Sequence, residues 1–439
     1  MKIHFIGIGG IGMSGIAKIA VVRGDSVSGS DQSPCDFPGA AVGHAAENIP
    51  KGVSLVVRSA AIKDDNVEVV AAKKRNIPVI KYAEMLGRLT REKATIAVSG
   101  CHGKTTTTSM ISYVLSRAGF EPSYVCGGVI SQLGSNAAPG AGKHLVVEAC
   151  EYDRSFLNLS PACAVITNIE EDHLDYYKDI AEIIGAFRDF AAKSSGPVIG
   201  SLDNAHCARL LGELKGKGES FSIEKDADWR ARNIEVFDGR WSFDLLKYGR
   251  PYGRYTLGVA GEHNVSNALA AVAACTWAGV GQEILQVALA EFNGAARRFQ
   301  KLGEKNGALV IDDYGHHPTE IQATLKAAKE RYPDRKIWCV FQPHQTSRTK
   351  IFFKDFARSF ADASVVLLPE IYEARGKGDQ KVSSKDLAQA ISENGKAALF
   401  MPTFDDVVAF LKEKATPDCL ILTMGAGNVD QIARRFLAE

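Results

Sequence analysis

Read for its alternation of apolar and polar positions, the chain breaks into short β-branched runs separated by segments of helical period. That pattern predicts an α/β fold built on parallel sheets. Ile3–Ile8 reads as a strand, followed by a glycine turn, a helix to about Arg23 and a second strand at Ser26–Gly29. Leu55–Ser59 and Ile77–Lys81 continue the series, so roughly the first 80–90 residues predict one nucleotide-binding-type unit. A second series begins at Ala94–Ser99 and continues at His144–Glu148 and Ala162–Thr167. Trp229–Tyr255 fits helical period poorly and predicts a small antiparallel insertion, and Asn264–Gly279 reads as an Ala-rich helix. The third series runs through Ala308–Asp312, Ile337–Gln342, Ser364–Leu368 and Leu420–Met424. The expected division is three domains, 1–82, 83–294 and 295–439, with no internal repeat of fixed period.

Composition narrows the class. A chain of 439 residues is too long for one ordinary domain, and 46% hydrophobic with 23% charged residues excludes a disordered or low-complexity protein. Lys and Arg number 52 against 51 Asp and Glu, a net charge of +1, so no global field draws the chain to nucleic acid or to an anionic membrane. The longest apolar stretch, Ala268–Val280, contains Thr and Gly and falls short of the ~20 residues of a membrane helix. Gly7, Gly9, Gly10, Gly12 and Gly15 interrupt the apolar N-terminus and argue against a signal peptide. Nine cysteines, without CxxC or Cys–His spacing, read as reduced thiols. The expectation is a cytoplasmic protein with neither a nucleic-acid partner nor membrane insertion.

Five motifs follow predicted strands. Gly7-Ile8-Gly9-Gly10-Ile11-Gly12 lies between strand and helix, where glycine lets backbone approach a pyrophosphate. Its usual ligand is NAD, and Asp31 stands at the end of the second strand, yet Gly10 departs from G-x-G-x-x-G. Ser99-Gly100-Cys101-His102-Gly103-Lys104-Thr105-Thr106 opens a helix directly after a strand, although Val98 stands where a Walker loop has its first glycine. Backbone N–H groups there cradle phosphates, Lys104 reaches the β/γ-phosphates, and the Thr105 hydroxyl ligates Mg²⁺. Glu148, followed by Glu151 and Asp153, is a candidate Mg²⁺ carboxylate, and Asp172-His173 follows the next strand. Asp312-Asp313-Tyr314-Gly315-His316-His317-Pro318 concentrates polar groups at a strand end. In Phe341-Gln342-Pro343-His344-Gln345-Thr346-Ser347-Arg348, Arg348 is a candidate clamp for a small carboxylate.

Taken together, these motifs resemble the Mur ligases over essentially the whole chain. The resemblance is carried in order by IHFIGIGGIGMSGIA, GHAAEN, SAAIKDDN, GCHGKTTTT, VEACEYDRSFL, ITNIEEDHLD, GEHNVSNALAA, GAARRFQ, DDYGHHPTE, FQPHQTSRT and TMGAGN. It implies an N-terminal Rossmann-like domain for a UDP-sugar, a central P-loop ATPase-type domain, and a C-terminal Rossmann-like domain that closes over an amino acid. The glycine loop would then hold a UDP diphosphate and not NAD, with Gly9, Gly10, Gly12, Ser30, Asp31, His44 and Ser59 at the UDP-sugar. Gly100, Gly103, Lys104, Thr105, Thr106, His263, Asn264, Asn267, Arg298 and Asp313 would contact ATP. Thr105, Glu148 and His173 match the metal-binding positions for Mg²⁺, with Mn²⁺ as the alternative ion. Tyr314, His316, His344 and Arg348 fall where the amino-acid pocket is expected.

The chemistry implied by the resemblance is joining of L-alanine to the lactyl carboxylate of UDP-N-acetylmuramate in peptidoglycan synthesis. A carboxylate is a poor acyl donor, so it first attacks the ATP γ-phosphate to give an acyl phosphate and ADP. The alanine amine then attacks the acyl carbon and phosphate leaves. Lys104, Mg²⁺ and Arg298 would stabilise the transferring phosphoryl group; His173 belongs to the same centre, and His316 or His344 would assist as base. Cys101 replaces a common Thr, and Cys150 interrupts an acidic motif. Gln345 replaces a second arginine found in many relatives, leaving Arg348 as the main carboxylate clamp. The segment from Asp31 to His44 is short, and no lysine between Asp179 and Arg188 is available for carbamylation. Two alternatives remain at this point. A recycling ligase for murein peptide shares the sugar nucleotide, and an NAD-dependent dehydrogenase would use only the first glycine loop.

Overall fold

A computed structural model describes residues 1–174, 176–237, 239–373 and 382–438. Asp175, within the ITNIEEDHLD motif, lies outside the described residues. Among them the strands form three sheets. The first contains β1 (Lys2–Ile6), β2 (Ser26–Asp31), β3 (Ala41–Val42), β4 (Leu55–Arg58) and β5 (Val79–Lys81), all parallel, in the order β3-β2-β1-β4-β5. The order reverses at β1, and a ligand crevice opens at such a switch point, beyond the strands' carboxyl ends.

The central sheet contains β6 (Ala94–Ser99), β7 (Ser123–Ile130), β8 (Ser135–Ala138), β9 (His144–Glu148), β10 (Cys163–Ile166), β11 (Val198–Ser201) and β12 (Gly218–Ser222). It ends with β13 (Trp229–Phe237), β14 (Arg240–Lys247) and β15 (Arg250–Thr256), in the order β15-β14-β13-β12-β11-β10-β6-β9-β7-β8. The residues expected to form a small antiparallel insertion are strands β13–β15, which continue the edge of this sheet. The third sheet, β16 (Gln300–Lys305), β17 (Ala308–Asp313), β18 (Lys336–Phe341), β19 (Val365–Leu368), β20 (Ala397–Phe400) and β21 (Cys419–Met424), has the order β16-β17-β21-β18-β19-β20. Along β17 the side chains alternate between two cores: Leu309 and Ile311 on one face, Ala308 and Val310 on the other. A strand covered on both faces has no polar side, so its apolar run is continuous.

The chain divides into two compact units. One holds Met1–Arg232, Asp244–Tyr255 and Ser266–Phe292, and the other holds Asn233–Phe243, Thr256–Val265 and Asn293–Glu439. The first sheet and most of the central sheet lie in the first unit and share one hydrophobic core. Helix α1 (Ile11–Val22) lies against β7 and β8, where Asn136 Nδ2 donates to the Ile11 carbonyl at 2.8 Å. A Cβ on Gly15 would stand 2.5 Å from the Ala137 Cβ, so this glycine sets the closeness of approach. No helix among the described residues is long and apolar enough to cross a membrane.

Candidate active site

The phosphate loop leaves the carboxyl end of β6, which pairs with β10 on one side and β9 on the other. Gly103, at φ +80°, caps the helix α4 (Lys104–Arg117), and Gly100 adopts φ +137°. Both need glycine. A Cβ would lie 2.0 Å from Thr167 Oγ1 at Gly100 and 2.4 Å from Asn267 Oδ1 at Gly103. The loop is tethered by the segment after β10: His102 N donates to Asn168 Oδ1 at 2.8 Å, and Asn168 Nδ2 donates to the His102 carbonyl at 3.0 Å. Cys101 is buried and exchanges contacts with Glu170, its Sγ 3.3 Å from the carbonyl and 3.1 Å from the amide. The thiol where Thr was expected therefore fastens the loop. Thr105 is buried in the first turn of α4, and Thr106 beside it is half-buried. The opened N-terminus of α4 presents backbone N–H groups and a positive dipole end to an anion.

Lys104 donates to the Gly100 carbonyl, to the Cys101 carbonyl at 3.1 Å and to Glu151 Oε1 at 2.9 Å. Burial alone would push the ammonium's pKa down; the Glu151 carboxylate beside it outweighs this and raises it. Burial would raise Glu151 in turn, but Lys104 and His173 hold it below the ordinary carboxylate value. Glu151 is 1% exposed, and its second oxygen has no hydrogen-bond partner. Ligand atoms of Glu151, Asp172 and His173 all lie within 4.8 Å of one another. His173 is held at φ +55° and packs edge-on against Tyr152, ring centroids 5.0 Å apart. Glu148 points elsewhere, its Oε2 accepting from Gly127 N at 2.7 Å. The carboxylates beside the His173 imidazole are Glu151, 3.5 Å from Nε2, and Asp172, 3.7 Å from it; sequence reasoning noted Glu151 without giving it a role.

In the first sheet, Gly9 N donates to Asp31 Oδ2 at 2.9 Å, so the acidic end of β2 closes the glycine loop. A Cβ on Gly9 would lie 2.7 Å from the Cys35 Cβ, and one on Gly12 2.9 Å from the Tyr82 ring. Gly10 caps α1. Ser59, just beyond β4, donates its backbone N–H to the Ile6 carbonyl at 3.0 Å. Ser30 and His44 meet at 3.1 Å, and both face Glu68, which no motif marked.

The second unit gathers the remaining residues. Asp313 is buried, its oxygens accepting from Phe299 N and Gly315 N at 2.7 Å each, and burial raises its pKa. Arg298 stands over the Tyr314 ring at 5.2 Å and 4.0 Å from Glu320. Its neighbour Arg297 ties Asp312 (3.0 Å) to the Gly425 and Gly427 carbonyls (2.7 and 2.9 Å) and organises the loop after β21. His316 and His344 face each other at 5.9 Å, and Arg348 approaches His344 Nδ1 at 3.4 Å. Tyr372, unmarked in the sequence, stacks on His344 with centroids 5.7 Å apart. Tyr314, His316, His344 and Arg348 therefore share one neighbourhood. At the start of the helix Glu262–Ala278, His263 is exposed and Asn264 is buried, donating to the Ala260 carbonyl at 2.6 Å. Asn267, within the first unit, accepts from Thr107 Oγ1 at 3.2 Å and packs on Gly103.

Comparison with known proteins decides the family. Residues 2–94 match the Mur ligase family catalytic domain, 98–275 the Mur ligase middle domain, and 297–427 the Mur ligase glutamate ligase domain. The chain belongs to the Mur ligase family. It is similar to the UDP-N-acetylmuramate–L-alanine ligase of Caldanaerobacter subterraneus subsp. tengcongensis, 43% identical across 100% of this chain and 97% of that protein. The ligase of the same name from Carboxydothermus hydrogenoformans is also 43% identical with the same coverage. Among solved structures, the UDP-N-acetylmuramate–alanine ligase of Thermotoga maritima superposes with TM-score 0.85 at 30% identity, covering 100% of this chain and 98% of that one. A murein peptide ligase from Psychrobacter arcticus gives TM-score 0.69 at 25% identity, with 100% and 98% covered.

Proposed function

We propose that this Mur ligase uses ATP to join L-alanine to the lactyl carboxylate of UDP-N-acetylmuramate, in the synthesis of a peptidoglycan precursor. The observation that carries this is end-to-end similarity, at 43–44% identity, to ligases bearing that activity in their names. The phosphate loop supports it: a glycine turn, a charged lysine and a helix N-terminus meet in the way that the anionic tail of a nucleoside triphosphate requires. The nicotinamide alternative leaves that loop without a use.

Each group has a role in this reading. The first sheet's crevice, lined by Gly9, Gly10, Gly12, Ser30, Asp31, His44 and Ser59, holds the UDP-sugar. Gly100, Gly103, Thr106, His263, Asn264, Asn267 and Asp313 contribute to the ATP site. Lys104 neutralises charge on the transferring phosphoryl group, and Arg298 adds a second cation. The residues fit a divalent ion, because a buried carboxylate oxygen of Glu151 lacks a partner beside Asp172 and His173. His173, with Glu151 and Asp172, would hold Mg²⁺ or Mn²⁺ there, with Thr105 of the phosphate loop as a further ligand, whereas Glu148 is turned to Gly127 N; when bound the ion supplies countercharge to the phosphates. Arg348 pairs with the α-carboxylate of alanine. His316 or His344 takes the proton that the amine must lose before it attacks the activated carboxyl. All nine cysteines are thiols, which suits a reducing, ATP-containing compartment and hence the cytoplasm. Phosphate release measured with UDP-N-acetylmuramate, ATP and one amino acid or peptide at a time tests the reading. Turnover should be highest with L-alanine, whereas turnover only with a murein tripeptide overturns it.

A further inference from the structure

Glu68 is a fully buried acid on α2 (Val67–Lys74) that no step above uses. Its Oε1 accepts from Ala45 N at 3.1 Å and Asn48 Nδ2 at 2.7 Å. Its Oε2 accepts from Ser30 Oγ at 2.7 Å and His4 Nε2 at 3.1 Å. An ionised carboxylate offers about four lone-pair sites, so Glu68 is saturated. These bonds outweigh the cost of burial and hold its pKa down at about 2.

The consequence falls on His44. Ser30 has one hydroxyl proton and gives it to Glu68, so its oxygen can only accept from His44 Nδ1, 3.1 Å away. The hydrogen-bond network thereby assigns the proton of neutral His44 to Nδ1 and leaves a lone pair on Nε2. His44 follows the carboxyl end of β3, on the side of the sheet where the crevice lies, and its side chain is 13% exposed.

We propose that Glu68 is a positioning residue for base recognition: through Ser30 it fixes the Nδ1–H tautomer of His44, so that Nε2 accepts the imide N–H of a uracil ring. The inference rests on the UDP-sugar occupying the first sheet's crevice. Cytosine presents a lone pair at the same ring position and would meet the His44 lone pair. Substituting Glu68→Gln removes one accepting oxygen, frees the Ser30 hydroxyl to donate to Nδ1, and moves the ring proton to Nε2, which then prefers cytosine's acceptor.

Calorimetry on the full-length protein with UDP and with CDP tests this. The wild type should prefer UDP, and Glu68→Gln should cut the UDP-over-CDP ratio by about tenfold or more. A purely structural Glu68 would weaken both nucleotides equally, and an unchanged ratio overturns the proposal. Wild-type protein that binds neither UDP nor UDP-N-acetylmuramate overturns the crevice assignment on which it rests. If the variant does not fold, nitrogen-15 spectra of histidine-labelled wild type remain decisive, with the His44 signals found by their loss in His44→Gln. A protonated Nδ1 supports the proposal, and a protonated Nε2 overturns it.

Discussion

Replacing Glu151 by Gln tests the electrostatics of the phosphate loop. The Lys104–Glu151 contact is 2.9 Å, between a side chain that is 13% exposed and one that is 2% exposed. At that separation the gross attraction is ~6 kcal/mol for an effective dielectric of about 20. Glutamine escapes the carboxylate's desolvation cost and keeps a neutral acceptor, while Lys104 retains the Gly100 and Cys101 carbonyls. The net loss should therefore sit below the ~3–5 kcal/mol of a broken buried pair, at about 2 kcal/mol. The pH dependence has a definite sign. Glu151's folded pKa lies below its unfolded value near 4.5, so its contribution is present above pH 4.5 and lost as pH falls through the folded value. Urea unfolding at pH 7 should show the variant less stable by ~2 kcal/mol, and the gap should close on acidification below pH 4.5. Ligation should slow by about a hundredfold, since Lys104 loses the partner that aims it, while the KM for UDP-N-acetylmuramate stays unchanged. Equal stability at pH 7 together with normal kcat would refute the pairing as a functional feature.

Three further outcomes are expected. Gly103→Ala forces an L-residue to φ +80° with its Cβ 2.4 Å from Asn267 Oδ1, so it should cost at least ~1–2 kcal/mol in urea unfolding and raise the Kd for ATP. Arg348→Ala should raise the KM for L-alanine by about tenfold or more and leave UDP-N-acetylmuramate binding intact, because a desolvated carboxylate loses its charged partner; an unchanged KM removes Arg348 from the pocket. The stability profile should peak on the acid side of neutrality. Burial raises Asp312 to about 6, so stability rises as pH falls from 6 toward 3.8, whereas Glu68, held at about 2, withdraws its contribution below 4.5. Thermal unfolding scanned from pH 7 to 3 measures this, and a monotonic fall from pH 7 would contradict it.

Elements with a strong local signal were legible in the sequence. The run Ala308–Asp312 is strand because both faces are covered, and the glycines of the phosphate loop mark a turn that no side chain could enter. Strand β16, Gln300–Lys305, carries almost no apolar alternation; antiparallel pairing with β17 makes it a strand, which is a long-range cause. Tertiary neighbours also set the roles of single polar residues. Glu68 sits 64 residues from His4 and 38 from Ser30, so nothing near it in the chain marks it as the centre of a network. Arg297 and Arg298 are adjacent and chemically identical, yet Arg297, at φ +60°, reaches Asp312 and the Gly425 carbonyl while Arg298 stands by Tyr314 and Glu320. Glu148 and Glu151 are distinguished in the same way: the strand end directs one to Gly127, and the turn after it brings the other to Lys104.

The proposed reaction turns on activation of the muramyl carboxylate by phosphorylation before the amine attacks. Its most direct test is turnover with UDP-N-acetylmuramate carrying oxygen-18 in the lactyl carboxylate, followed by mass spectrometry of the phosphate released. Transfer through an acyl phosphate should place one labelled oxygen in each phosphate, with ADP as the other product. Unlabelled phosphate, or AMP and pyrophosphate in place of ADP, would contradict it.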